Sequence, residues 1–380
     1  MLTFHYNKDL KKNTPSREKY LREQVIKIAN EPQPEQRSPE WYLMRESMVT
    51  ASDWGTILGE NHYAKSESVL IKKCDPNAPF VSNDAIKWGI KYEAVAVQIY
   101  EHRNKTKVLE FGCLRHPIYS FLGASPDGIT EDGTMVEIKC PSSREITGEP
   151  PSYYWCQVQG QLEVCELDRC DFLECNIKEY IDENDYDNDN FYHTNGNEKG
   201  VVAEFFKISD KTFFFEYSPV GIIGNELIQW KAEMENKYSG NICFAAFSYW
   251  YLERVSCVPI YRNQEWFYKA LPQLNDFWNK VLYYREVGLD KLKEDLQKVK
   301  DDKKMVREER REEKAKKEKE KPKRKKNETI ILDADIRNFI TVEKKPEIII
   351  NSTSSSDNDM EYDEDDKTVS SAKYSLFSNN

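Results

Sequence analysis

A mixed α/β fold, with a central mixed β-sheet flanked by helices, is predicted by three features of the 380-residue chain. Strand-like and helix-like segments alternate between residues 107 and 180, an order that lays a crossover helix against a sheet. Hydrophobic residues make up 39% and aromatics 12%, enough for a sizeable core. After about residue 290 the chain turns almost wholly charged or polar, so a solvated arm and tail are expected to follow the folded part.

Taken in order, residues 1–36 read as a polar leader with one short helix, closed by the proline-rich EPQPEQRSP, and order is expected from Trp41. TASDWGTILG reads as a helix start, with Thr50 as cap and Asp53 completing a capping box. Residues 84–103 predict a longer helix with Ile86, Ile90, Ala94 and Val97 on one stripe. Strands are expected near 107–114, 119–124 and 134–140, then a helix over SYYWCQVQGQLEVC and a strand over RCDFLECNIKEY. Residues 181–200 read as an acidic, Asn-rich loop. Strands VVAEFFK and KTFFFEY, a helix around 222–237 and a strand near 247–260 follow. The last amphipathic helix starts at NQEW and contains Pro272, which predicts a kink or a later start. The division expected is a leader (1–36), a folded domain (37–290), a charged helix or arm (291–326) and a disordered tail (327–380).

The formal net charge is −11. Residues 1–300 hold 36 Lys and Arg against 46 Asp and Glu, so a nucleic-acid partner would need a local basic channel and not a global field. Residues 1–30 lack the apolar core of a signal peptide, and no run approaches a membrane span. The nine cysteines include no C-x-x-C pair. Cys165, Cys170 and Cys175, at a spacing that alternates faces on a strand, read as ordinary core or surface cysteines. An intracellular protein with reduced thiols is expected.

Chemistry concentrates in GASPDGITEDGTMVEIKCP, residues 123–141. Glu137 and Lys139 are two apart, which on a strand puts both on one face with Ile138 pointing to the other. Asp127 sits in SPDG, a turn sequence expected to return the chain and place Asp127 beside Glu137. Two adjacent buried carboxylates repel unless a cation sits between them. Hard oxygen ligands, with the Ile138 carbonyl as a third, select Mg²⁺ or Mn²⁺ over zinc. Lys139 would then attend a bound water or the charge developing on a phosphate. A surface hairpin with a Glu–Lys pair has the same pattern, so D…E-x-K alone does not decide.

Further blocks stand in order around it: Trp41, Arg45 and Ser52; then Trp88, Gly89 and Glu93; then SPDG, EIKCP, and Tyr154, Gln157 and Gln159. Together they resemble the lambda-type phage exonucleases, the YqaJ viral recombinase family of the PD-(D/E)xK nuclease superfamily. The resemblance covers residues 37–180 through motifs and extends loosely to about 287. Composition and tail look like those of a large DNA virus of eukaryotes. The resemblance implies a restriction-endonuclease-like core and a Mg²⁺-dependent exonuclease on double-stranded DNA ends, with Mn²⁺ as substitute. Polarity would be 5′→3′, leaving 3′ overhangs for recombination, repair or genome processing. Asp127, Glu137 and the Ile138 carbonyl would hold the metal, and Lys139 would attend the attacking water. Glu93 would reach a second metal or a water, with Gly89 and Ala96 leaving room for a strand, and Gln157 would bond a bound water or the phosphate. Arg45 and Ser52 would take a 5′-terminal phosphate, and Trp41 would pack.

The resemblance also implies a single-strand annealing protein as partner and, as in the phage rings, a homo-oligomer as one possible state. A structure-specific endonuclease or RNase on the same fold, and a catalytically silent DNA-end-binding scaffold, are the alternatives. In the tail, KPKRKK (321–326) resembles a nuclear-import signal, while TIILD (329–333) and EIIINSTSSSDND (347–359) resemble SUMO-interacting motifs. The expected location is the host nucleus or a cytoplasmic viral factory, with no membrane contact.

Overall fold

The computed structural model describes residues 14–75, 77, 83–189 and 198–320. In chain order the elements are α1 (Pro15–Ala29), α2 (Pro39–Glu46), β1 (Val49–Thr50), α3 (Ala51–Ile57), α4 (Ser66–Cys74) and α5 (Asp84–Asn104). Next come β2 (Val108–Leu109), β3 (Leu114–Arg115), β4 (Leu122–Ala124), β5 (Gly128–Thr130), β6 (Thr134–Lys139), α6 (Ser152–Cys165) and β7 (Arg169–Glu179). The chain continues through α7 (Glu183–Asn188), β8 (Lys199–Lys207), β9 (Thr212–Tyr217), α8 (Gly224–Asn236), β10 (Ile242–Tyr261), α9 (Gln264–Val287) and α10 (Leu289–Glu320).

Seven strands form one mixed sheet in the order β2-β5-β6-β7-β10-β8-β9, and β1-β4-β3 form a small second sheet. Within the large sheet β6 and β7 are parallel, joined through α6, and the other neighbours are antiparallel. The alternation of β6 explains its two-sided burial. Val136, Ile138 and Cys140 pack toward Tyr92, Val95, Ala96 and Ile99 of α5. Met135 points the other way, into a core shared with Val158 and Leu162 of α6. A third cluster joins α3, α4 and α9 through Trp54, Val69, Leu70, Phe267 and Leu274.

Several local expectations change. The helix inside the expected leader packs on the core. Thr14 caps α1, Pro15 opens it, and Leu21, Val25 and Ile28 are buried. Arg17 Nε donates to Asp168 at 2.6 Å and Gln24 Nε2 to the Cys165 carbonyl at 2.9 Å, fixing α1 beside α6. Thr50 is the N-cap of α3 without a side-chain cap bond; its hydroxyl donates to Asp53 at 3.1 Å, so the capping box does not form. The buried stripe of α5 is Tyr92, Val95, Ala96, Ile99 and Tyr100, whereas Ile86 is exposed. Pro272 neither stops nor starts α9, whose Phe267, Ala270, Leu274 and Phe277 are buried along one face. That burial outweighs the roughly 3 kcal/mol an interior proline costs. The acidic loop holds α7, and its Tyr186 is fully buried. Cys165 ends α6 and is not on a strand, so the three evenly spaced cysteines do not share one.

Met1–Glu313 form one compact unit. The described part of the second unit, Lys314–Asn380, is the end of α10. Every side chain from 297 to 314 is exposed. KPKRKK and the two β-branched tail segments lie outside the described residues. Among the described residues no helix is long and apolar enough to cross a membrane.

One buried group is expected to make stability pH-dependent. His116 lies between the small sheet and α9, stacked on Phe267 at 5.8 Å. Its Nδ1 accepts the Ile118 and Tyr119 amides at 3.1 and 3.3 Å. Burial lowers its pKa, with Glu163 and Glu166 opposing and Arg262 assisting. The unfolded chain therefore takes up the proton first as pH falls through about 6.5. Folding stability should drop below that pH, by at most about 1.4 kcal/mol per pH unit. His116→Asn keeps an acceptor for the two amides. Urea midpoints at pH 7.5 and 5.5 should differ less in this variant than in the parent.

Candidate active site

The site begins with a change of sheet. β4 belongs to the small sheet and β5 to the large one, so SPDG carries the chain from one to the other and does not make the expected return. The return lies at Glu131–Gly133, where the Gly133 amide donates to the Thr130 carbonyl at 3.0 Å. Gly128 follows Asp127 because a β-carbon there would stand 2.1 Å from Val108 Cγ1. The β5–β6 register pairs Gly128 with Val136 and Ile129 with Met135; one step further sets Asp127 across from Glu137. Asp127 Oδ2 accepts the Ile138 amide at 2.7 Å, which fixes the carboxylate at the end of the β5–β6 pair.

Glu137 is fully buried, and both its oxygens are engaged. Oε1 accepts Lys139 Nζ and, at 2.6 Å, Gln157 Nε2. Oε2 accepts Gln161 Nε2 at 2.6 Å. Gln157 and Gln161 are one turn apart on α6, so a single helix face clamps the carboxylate from both sides. The clamp has a cost at Gln161, whose own Oε1 is buried without a hydrogen-bond partner among the described residues. The expected Gln159 acts elsewhere. It donates to the Tyr261 carbonyl at 2.9 Å and accepts the Asn263 amide at 2.7 Å, tying α6 to the β10–α9 junction.

A cavity of about 520 Å³ opens over this cluster, lined by Glu93, Asp127, Ile138, Lys139, Arg144 and Tyr154 among others. Gly89 lines it too, and among the described residues a β-carbon there would meet nothing within 4 Å, so no described strand packs against it. Glu93 lines the cavity from α5 and is paired with Arg37 Nη2 at 2.9 Å. Arg37 has φ 66°, in the left-handed region just before the cap of α2. Electrostatics couple the group. Burial raises the Asp127 pKa well above its ordinary value, and Glu137 raises it further against Lys139. Burial likewise raises Glu93, with Arg37 and Lys139 opposing. Burial by itself lowers the Lys139 pKa, but Glu137 and Asp127 outweigh it and push the pKa up, keeping the ammonium charged.

Among the described residues no three His, Cys, Asp or Glu side chains form a ready-made metal cage. The donor set still fits a hard divalent cation. Mg²⁺ is ordinarily held by one or two carboxylates and keeps several waters. Here Asp127 and Glu93 face a cavity while repelling each other and Glu137, the condition a cation relieves.

Arg45 and Ser52 are in direct contact. Arg45 Nη2 donates to Ser52 Oγ at 3.0 Å and Nη1 to Ser125 Oγ at 3.3 Å. The guanidinium lies over the Trp41 ring at 4.3 Å, and Trp41 Nε1 donates to Ser125 Oγ at 3.1 Å. This group is tied through Ser125 to the strand end that bears Asp127, but it does not line the cavity of the acids. Beneath it, the buried Lys73 donates to the Arg45 carbonyl at 2.7 Å and lies 3.6 Å from Asp53.

Sequence reasoning missed Gln161, Arg37 and Lys73. Gln161 had a usable signal, the helical spacing from Gln157. Arg37 and Lys73 had none, because their partners are 56 and 28 residues away.

Comparison with known proteins bears on the same residues. Residues 40–168 match the YqaJ-like viral recombinase domain, a span that contains Trp41, Arg45, Ser52, Glu93, Asp127, Glu137, Lys139, Gln157 and Gln161. The chain is 34% identical over 332 residues to an uncharacterized protein of Acanthamoeba polyphaga mimivirus, across 76% of this chain and 60% of that protein. It is 29% identical over 160 residues to a protein of African swine fever virus (strain Badajoz 1971 Vero-adapted), across 34% of this chain and 46% of that protein. The chain thus spans about half to three fifths of the length of these relatives, which come from large DNA viruses. Among solved structures it is similar to an alkaline exonuclease (LHK-Exo) from Laribacter hongkongensis, with 19% identity, 69% of this chain and 100% of that chain covered, and a TM-score of 0.40. A phage-related exonuclease from Haemophilus somnus 129PT aligns at 13% identity over 66% of this chain and 96% of that chain, with a TM-score of 0.35.

Proposed function

We propose that the YqaJ-like viral recombinase domain over residues 40–168, with the elements packed around it, is a divalent-metal-dependent deoxyribonuclease that digests double-stranded DNA 5′→3′ from its ends. The observation that carries this reading is the placement of Asp127 across from Glu137 at the end of the β5–β6 pair, with the Lys139 ammonium on Glu137 and a cavity lined by Glu93, Asp127 and Lys139. Asp127, Glu137 and the Ile138 carbonyl would hold Mg²⁺, with Glu93 as a further oxygen donor. When bound, the ion supplies Lewis-acid stabilisation of the phosphate and activation of a water.

The chain's own residues do the rest. Lys139 keeps a positive charge beside the reacting phosphate and can donate to its oxygens or to the attacking water. Gln157 and Gln161 fix the Glu137 carboxylate in one orientation. Arg45, its guanidinium over the Trp41 ring, would present a planar fork to a 5′-terminal phosphate with Ser52 beside it. An annealing protein would take the 3′ single strand so produced.

A time course on end-labelled linear duplex beside closed circular DNA, with Mg²⁺ or EDTA, tests this directly. Linear 5′-phosphorylated duplex should release nucleotides from the 5′ strand in Mg²⁺ only, and circles should survive. Equal cutting of circles would replace the end-dependent reading with an endonuclease.

Gln161→Met separates orientation from folding. It removes a bond to a charged group, about 1.5–3 kcal/mol, together with a buried orphan carbonyl, about 1–3 kcal/mol. Stability in urea should therefore change by no more than about 2 kcal/mol, the largest difference of these two effects. Hydrolysis should fall about 10–100-fold, as when a metal ligand loses its supporting partner.

A further inference from the structure

A row of tyrosines stands on the cavity wall opposite α5. Tyr154 packs against Phe172 and carries Lys139 Nζ 4.8 Å and the Arg144 guanidinium 5.9 Å from its ring centroid. Tyr153 lies 4.3 Å from Tyr154, and Tyr63 lies 6.2 Å from Tyr153, edge-on at 88°. All three line the same cavity as Asp127 and Lys139. Tyr154 is anchored in the core, but Tyr63 is 84% exposed.

The exposed ring sits on a pinned loop. Glu60 and Asn61 amides donate to the Gly55 carbonyl at 2.8 and 3.1 Å. Asn61 donates to Thr56 Oγ1 at 2.9 Å and accepts the Tyr63 amide at 2.9 Å, an Asx turn that sets where Tyr63 leaves the loop. The same loop is held to the tyrosine wall by close packing of α3 on α6. A β-carbon at Gly55 would stand 2.7 Å from the Tyr153 backbone. Tyr63 thus keeps a large aromatic face in water at a fixed place, linked through Tyr153 to Tyr154, the ring that lies beside Lys139, paired with Glu137, and Arg144, paired with Glu174. An aromatic face next to positive charge matches a ligand with a flat ring and an anionic link, which is a nucleotide unit.

We propose that Tyr63, backed by Tyr153, is a base-stacking subsite for the DNA strand whose phosphates pass Lys139 and Arg144. The proposal rests on the nuclease reading above and adds a residue group that grips a base. Stacking is sequence-tolerant, because every base has a π-face, so the subsite would hold the strand without selecting its sequence. Tyr63 is almost wholly exposed, so its replacement should leave the fold intact.

The test uses the full chain carrying Glu137→Gln, to stop cleavage, and a 5′-phosphorylated duplex with 2-aminopurine at each of the three 5′-terminal positions in turn. Anisotropy reports binding, and 2-aminopurine quenching reports stacking on an aromatic ring. At one position the parent chain should quench the probe. Tyr63→Ala should abolish that quenching and weaken binding about 5–150-fold, while Tyr63→Phe should restore both. If Tyr63→Ala binds and quenches like the parent, or Tyr63→Phe fails like the alanine variant, the stacking role is wrong although DNA binding stands. If the parent binds no duplex ends, the nuclease reading falls and this inference with it.

Discussion

Lys139→Met is expected to lower single-turnover hydrolysis of 5′-phosphorylated linear duplex by about 10²–10³-fold, the usual loss when one donor aimed at developing charge is removed. Glu137→Gln should lose at least as much, because an amide is a poor ligand for a hard divalent ion. Both chains should still bind duplex ends. The reasoning starts from the strand. β6 places Glu137 and Lys139 on the face that meets α6, and the side chains close on each other in a buried setting. An ammonium held charged by two carboxylates is an electrostatic tool and a poor general base. Lys139→Arg should therefore retain more rate than Lys139→Met, since it keeps the charge at altered geometry. A single-turnover rate within a few-fold of the parent in Lys139→Met would remove this lysine from the chemistry. Equal loss of binding and rate would instead mean that the variant no longer folds around Glu137.

Much of this site is written locally, and that is why it could be read. Glu137 and Lys139 are neighbours on one strand, and Gln157 is on one uninterrupted helix, so the two periodicities alone predict their faces. The partners that complete the site come from long-range packing, which leaves no local pattern. Arg37 reaches Glu93 from the loop before α2, and Asp127 reaches Glu137 through a change of sheet at a sequence that reads as a tight turn. The misplaced stripe on α5 has a definite cause. Ile86 and Ile90 are spaced as a helix face, yet they line the cavity mouth, and the core is built by Tyr92, Val95, Ala96 and Ile99. Apolar residues at a binding cavity and at a core interface share one periodicity, so hydrophobicity alone cannot separate them. The docking of α1 was hidden differently. A polar composition masked three inward apolar residues, Leu21, Val25 and Ile28, at helical spacing.

Arg45→Ala is expected to slow digestion of 5′-phosphorylated duplex about 10–150-fold at limiting DNA and to leave 5′-hydroxyl ends unchanged. The size corresponds to a charge-assisted hydrogen bond of about 1.5–3 kcal/mol. In the present geometry the guanidinium donates to two hydroxyls, those of Ser52 and Ser125. Neutral hydroxyls are weaker acceptors than a phosphate dianion, so an arriving 5′-phosphate can take their place. Trp41 lies under the guanidinium plane and Lys73 holds the Arg45 carbonyl, so the fork is set before the ligand comes and little side-chain freedom is lost on binding. Arg45→Lys keeps the charge without the fork and should fall between the two. Comparing both variants on both kinds of end separates reading of the terminal phosphate from general attraction to DNA. A guanidinium that only attracts the backbone would be missed equally on phosphorylated and hydroxyl ends. One that measures the terminus would be missed only where the phosphate is present, and its tie through Ser125 to the strand end carrying Asp127 would then set where cutting begins.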